Sequence, residues 1–159
     1  MITAYIGIGS NLGDPHEQVA QAFKALEALP ETRLAGRSPL YRSAPVDAPG
    51  QPDYVNAVAA VETALSAPQL LAALQAIETR QGRARPFARA PRTLDLDLLL
   101  YGDAAFVSTQ LTLPHPRMHE RAFVLRPLLD LDPRAEVPGR GAARELMRAC
   151  TTQRVERVD

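Results

Sequence analysis

The stretch "PRTLDLDLLLYGD", residues 91–103, sets two aspartates, Asp95 and Asp97, inside a leucine-rich run. Its alternation is the period-2 mark of a strand, in which residues two apart share a face and lie about 6.8 Å apart. Leu94, Leu96, Leu98 and Leu100 are expected on one face, which makes this a core strand. Asp95 and Asp97 share the other. A carboxylate is costly to bury unless something positive compensates it, so that face must be open to solvent or to a cleft. Two readings of the pair stand. Either a cation sits between the aspartates, or they are solvated or paired with arginine on an edge strand. Mg2+ suits the first reading, because it takes one or two carboxylates and leaves its other positions to water and phosphate.

Working outward, Ile2, Ala4, Ile6 and Ile8 mark a strand over 2–8, and "GIGSNLGD" follows as a turn. Asp14 reads as the N-cap of a helix over 15–29, with Pro15 at N1 and Glu17 at N3. Val19, Ala22, Phe23, Leu26 and Leu29 form its apolar face. A second strand is expected over 32–42, ending in the Pro- and Gly-rich loop "SAPVDAPGQP". "DYVNAVAAVET" is a third strand, with Tyr54, Asn56, Val58 and Ala60 on one side. Ser66 and Gln69 cap a second helix that turns Leu70, Leu71, Leu74 and Ile77 inward and ends at Gly82. After the strand through Asp95 and Asp97 come a hairpin partner within "AAFVSTQLTLP", one or two short helices in 115–133, and a last helix over 141–150. Strand–helix–strand–strand–helix–strand is the split β-α-β order of a ferredoxin-like α+β domain. At 159 residues one domain, 1–159, is expected.

Formal net charge is zero, and nothing global points to nucleic acid or a membrane surface. A monomer acting on small molecules is expected. The single cysteine, Cys150, excludes an internal disulfide framework and fits a reducing compartment, so the chain reads as cytoplasmic. Local charge is less even. Between Glu78 and Asp95 no acidic residue occurs, yet Arg80, Arg83, Arg85, Arg89 and Arg92 fall there. A basic loop leading into an acidic metal face suits a nucleotide polyphosphate, and a solvated loop is the other reading. Gly7 and Gly9 permit close backbone approach to a ligand, though the segment is neither a Walker loop nor a dinucleotide fingerprint. Tyr54 beside Asn56 hints at a site for a flat heterocycle, with Phe123 as a second stacking wall. In "LPHPRMHERAF", His115 and the neighbouring arginines are candidate donors to phosphate.

"AYIGIGSNLGDP", "PDYVNAV", "GRAR", "PRTLDLDLLLYG" and "LPHPRMHERAFVLRPL", in that order, resemble the 6-hydroxymethyl-7,8-dihydropterin pyrophosphokinases of folate biosynthesis, over about residues 2–130. The resemblance implies a ferredoxin-like three-layer α/β/α domain with a mainly antiparallel sheet. It implies transfer of the β,γ-diphosphoryl unit of ATP to the pterin hydroxymethyl oxygen, with AMP leaving and two Mg2+ ions bound. Asp95 and Asp97 would hold the metals, and Arg83, Arg92, His115 and Arg121 would contact phosphate. Tyr54 and Phe123 would sandwich the pterin and Asn56 would read its edge, with Ser43, Ala44, Pro45 and Val46 lining that pocket. Leu98 and Thr112 would lie by the nucleotide, and Glu78 would help fix its ribose or the phosphate arginines. Two departures concern closure of the arginine loop. The tryptophan-glycine pair of many members is missing from "RPFARAPR", where Ala90 stands in its place and Phe87 is a candidate apolar plug. Pro116 follows His115 where an aromatic is usual. The alternative to an enzyme is a non-catalytic ferredoxin-like ligand-binding domain.

Overall fold

The N-terminal alternation is realised as β1 (Ile2–Ser10), on which the sheet is built; the computed structural model describes residues 1–45, 50–82 and 94–159. Ala4, Ile6 and Ile8 are buried together. The strand continues through Gly9 and Ser10, where a turn was expected. Strand pairing explains the extension: Gly9 lies opposite Asn56 on one side and Asp95 on the other, and Ser10 lies opposite Val55.

Helix α1 (Pro15–Glu27) starts as its sequence dictates, with Asp14 Oδ1 accepting the Glu17 N–H at 3.2 Å. It ends two residues early, and Leu29 packs on the core from just beyond. The single strand expected over 32–42 is two, β2 (Thr32–Arg37) and β3 (Tyr41–Ser43). Pro39 has no N–H to give a ladder. In the gap Ser38 donates its N–H to Val58 O at 2.9 Å, and its Oγ accepts the Val58 N–H at 2.8 Å. Strand β4 (Tyr54–Thr63) therefore pairs with both pieces along one edge. The capping pair that opens α2 (Ala67–Gly82) is reciprocal: Ser66 N–H donates to Gln69 Oε1 at 2.9 Å and Gln69 N–H to Ser66 Oγ at 3.2 Å.

Strand β5 (Asp95–Tyr101) carries the two aspartates. Its register against β1 breaks once: Tyr5 faces Leu100 and Ile6 faces Leu98, leaving Leu99 as an extra residue. The bulge flips parity, so Leu100 joins Leu99 on the face of the aspartates rather than the face of Leu96 and Leu98, as alternation predicted. A small hairpin follows, β6 (Phe106–Val107) with β7 (Thr112–Leu113), then a 3-10 turn at Met118–Glu120 and α3 (Ala122–Leu131). A second hairpin, β8 (Glu136–Val137) with β9 (Gly141–Ala142), leads into α4 (Ala143–Arg148), shorter than the expected 141–150. The last strand, β10 (Val155–Arg157), was not foreseen; it pairs with β3.

The main sheet runs β5-β1-β4-β3-β10, with β2 beside β3 on the edge of β4, and every pairing is antiparallel. Helices α1 and α2 cover one face, burying Leu26, Leu70, Leu74 and Ile77 against Ile6 and Leu98. On the other face α3 and α4 bury Leu125, Leu128 and Ala143 against Val58 and Leu99. The result is the ferredoxin-like α+β fold read from the element order, in the three layers that the resemblance implied. Among the described residues, no helix is long and apolar enough to cross a membrane.

Candidate active site

The site follows from one face of the sheet changing character along three strands. On β5 the series Asp95, Asp97 gives way to Leu99; on β4, Tyr54 and Asn56 give way to Val58; on β1, Gly9 and Gly7 give way to Tyr5. The apolar half lies under α3. Among the described residues the polar half is left uncovered, and it floors a cleft of about 930 Å3. Gly7, Gly9, Asp95 and Asp97 lie on this floor, with Tyr54 and Asn56 beside them. His115, Arg121 and Phe123 line its walls, as do Ser43, Ala44 and Pro45.

Gly9 is glycine for a local reason. A Cβ there would lie 3.2 Å from Asn56 Nδ2 and 3.7 Å from Tyr54 Cδ1. Asn56 is buried, and its Oδ1 accepts the Ser43 hydroxyl at 2.5 Å. Its Nδ2 is thereby turned toward Gly9 and the cleft, a fixed donor for a carbonyl-like acceptor. Tyr54 stays a neutral phenol: burial raises its pKa, and the charge of Asp95 raises it further. Also lining the cleft, the Arg121 guanidinium lies over the Phe123 ring, 5.6 Å from its centroid.

His115 is held at two points. Its N–H donates to Leu99 O at 2.9 Å, and its Nδ1 accepts the Arg117 N–H at 3.2 Å. With Nδ1 an acceptor, the proton of the neutral ring sits on Nε2. Burial lowers the pKa of His115; Asp97 opposes that shift, and Arg121 and Arg117 add to it. Asp97 and His115 also border a smaller hollow of about 230 Å3 that Leu98 and Thr112 line. Pro116 lines the same hollow. Glu78 reaches from α2 to β5, where its Oε2 accepts the Leu96 N–H at 2.8 Å, between the two aspartates. Val46, Arg83 and Arg92 lie outside the described residues, as do Arg85, Phe87, Arg89 and Ala90.

No three metal-ligating side chains gather into a cage among the described residues. Asp95 and Asp97 instead form a two-carboxylate seat facing glycines, an open hard-oxygen donor set that fits Mg2+ completed by water and phosphate. The sequence reading missed Thr152, Gln153, Arg154 and Val155, which also line the cleft. No local motif marks them. They arrive through the pairing of β10 with β3, a contact between segments more than a hundred residues apart.

Residues 5–133 match the family model described as 7,8-dihydro-6-hydroxymethylpterin-pyrophosphokinase (HPPK). A Pseudomonas aeruginosa protein named 2-amino-4-hydroxy-6-hydroxymethyldihydropteridine pyrophosphokinase is 49% identical over 154 residues, 97% of this chain and 95% of that one. A Haemophilus influenzae protein of the same name is 47% identical over 148 residues, 93% and 92% of the two chains. Among solved structures, Plasmodium falciparum HPPK-DHPS shares the fold at a TM-score of 0.71 and 13% identity; the match covers 93% of this chain and 43% of that one. Near-full-length identity of this order, together with the family match, leaves one assignment: the chain belongs to the 7,8-dihydro-6-hydroxymethylpterin-pyrophosphokinase family.

Proposed function

We propose that the cleft binds 6-hydroxymethyl-7,8-dihydropterin and ATP side by side and joins them over Asp95 and Asp97. As a member of its family the chain is an ATP-dependent diphosphotransferase of folate biosynthesis. The hydroxymethyl oxygen attacks the β-phosphorus of ATP and a new P–O bond forms. The bond from that phosphorus to the α,β-bridging oxygen breaks, AMP leaves, and the hydroxyl proton is lost to solvent. The observation that supports the reading is the change along the sheet face, which brings Tyr54 and Asn56 into one cleft with the carboxylate pair.

Tyr54 and Phe123 stack on the two faces of the pterin, and Asn56 donates Nδ2 to its carbonyl edge. Ser43 keeps that amide in its orientation. Ala44 and Pro45, with Val46 beyond the described residues, close the pocket. His115, as an Nε2–H donor, and Arg121 hold phosphate oxygens, and Leu98 and Thr112 flank the nucleotide. Arg83 and Arg92, also outside the described residues, are assigned to the phosphates as well. Glu78 fixes the strand between the two aspartates. Positioning and charge neutralisation carry such transfers, so no strong protein base is required. Two Mg2+ ions held by Asp95 and Asp97 would neutralise the phosphate charge. We further infer that the chain works as a single-domain monomer in the cytoplasm, without nucleic acid or membrane. The use of a single cysteine, Cys150, supports the compartment.

Mn2+ in place of Mg2+ gives a direct test by electron paramagnetic resonance. With a non-hydrolysable ATP analogue and pterin, two bound ions per chain are expected, and Asp95→Asn or Asp97→Asn should release both. Undiminished binding in both variants would overturn the metal assignment.

A further inference from the structure

Helix α3 begins at Ala122, and Arg121 stands at its N-cap with no side-chain cap of its own. Arginine is a poor capping residue, so the first N–H of the helix needs a partner from elsewhere. Gln153, 31 residues beyond Ala122, supplies it. Its Oε1 accepts the Ala122 N–H at 2.9 Å, and its Nε2 donates to Glu120 O at 2.7 Å. One amide therefore grips the backbone on both sides of Arg121. Ala122 is fully buried, so its N–H has no recourse to water.

Gln153 is itself anchored. Its N–H donates to Cys150 O at 3.0 Å, and two residues later β10 begins, with Val155 opposite Ser43 on β3. The C-terminal segment thus links the backbone around Arg121 to the strand that carries Ser43, and both ends of that link line the cleft. We propose that Gln153 is a positioning residue for substrate binding: its amide fixes the backbone that aims Arg121 at phosphate and Phe123 at the ring. The inference rests on the roles given to those two residues under the proposed function.

Three variants test it. Gln153→Met keeps the length and bulk of the side chain and loses both hydrogen bonds, whereas Gln153→Ala loses bulk as well. Arg121→Ala serves as reference for the wall itself. Steady-state kinetics with ATP and the pterin, with melting temperatures measured beside them, separate the cases. For both Gln153 variants we expect KM for ATP and for pterin to rise about tenfold with kcat changing much less, since a sub-ångström misplacement suffices for that. Met should be as impaired as Ala. If Met restores wild-type KM, bulk was the contribution and the positioning role is overturned. If both Gln153 variants keep wild-type KM while Arg121→Ala is impaired, the inference fails and the reading of the wall stands. If Arg121→Ala itself leaves KM unchanged, the reading of the wall fails and takes the inference with it.

Discussion

Single residues decide what the cleft floor can do, and a lone atom can be the difference. At Gly9 the added Cβ of alanine would meet Asn56 Nδ2 at 3.2 Å, and the Ser43 hydrogen bond keeps that amide from swinging aside. Gly9→Ala should therefore raise KM for pterin about tenfold with little change in melting temperature; an unchanged KM would show that Asn56 does not read the ring. At Asp97 function and stability oppose each other. Two like charges two residues apart repel when no cation is bound, so metal-free Asp97→Asn should melt no lower than wild type while turnover falls at least about a thousandfold. A drop of several kcal/mol in its unfolding free energy would make the aspartate structural instead. His115 gives a pH dependence. Its folded pKa lies below the ordinary 6.5, so the unfolded chain takes up the proton first. The stability owed to the neutral ring is intact above pH 6.5 and is lost as pH falls through the folded pKa. Divalent metal on Asp97 would remove the one influence that raises that pKa and widen the window. Against His115→Gln, wild type should lose melting temperature more steeply on acidification below 6.5; parallel curves would contradict the assignment.

At the level of elements, a bulge places the boundary between site and core. The extra residue at Leu99 lets β5 present aspartates to the cleft and then bury both Leu99 and Leu100 in the apolar cluster that α3 and α4 help to form. Leu99 is fully buried, and Leu99→Ala should cost about 2–5 kcal/mol in denaturant unfolding. A cost below about 1 kcal/mol would mean that the cluster under α3 can collapse onto the gap. The reciprocal cap at the start of α2 is a smaller lever: Ser66→Ala should lower stability by about 1 kcal/mol, or roughly 2–4 °C in melting temperature, without touching KM.

Across the whole molecule, what the sequence disclosed was what local chemistry writes. Period-2 runs announced β1, β4 and β5, and Asp14 and the Ser66–Gln69 pair announced the starts of both large helices. The carboxylate pair and the Tyr54–Asn56 face were legible for the same reason: each is a short-range pattern whose cost or chemistry shows at once. Three features were hidden because nonlocal pairing fixes them. Parity beyond Leu98 depended on the register of β1, the break at Pro39 mattered only because β4 is long enough to pair with both halves, and β10 exists through its partner β3. The C-terminal contribution to the cleft, Gln153 included, falls in this last class.

The most direct test is the identity of the nucleotide released when the protein meets ATP, Mg2+ and 6-hydroxymethyl-7,8-dihydropterin. AMP appearing in step with the pterin diphosphate is the expected result, and it should vanish in Asp97→Asn. ADP in its place would mean transfer of the γ-phosphoryl group alone, and neither nucleotide would mean a binding domain; either would contradict the account.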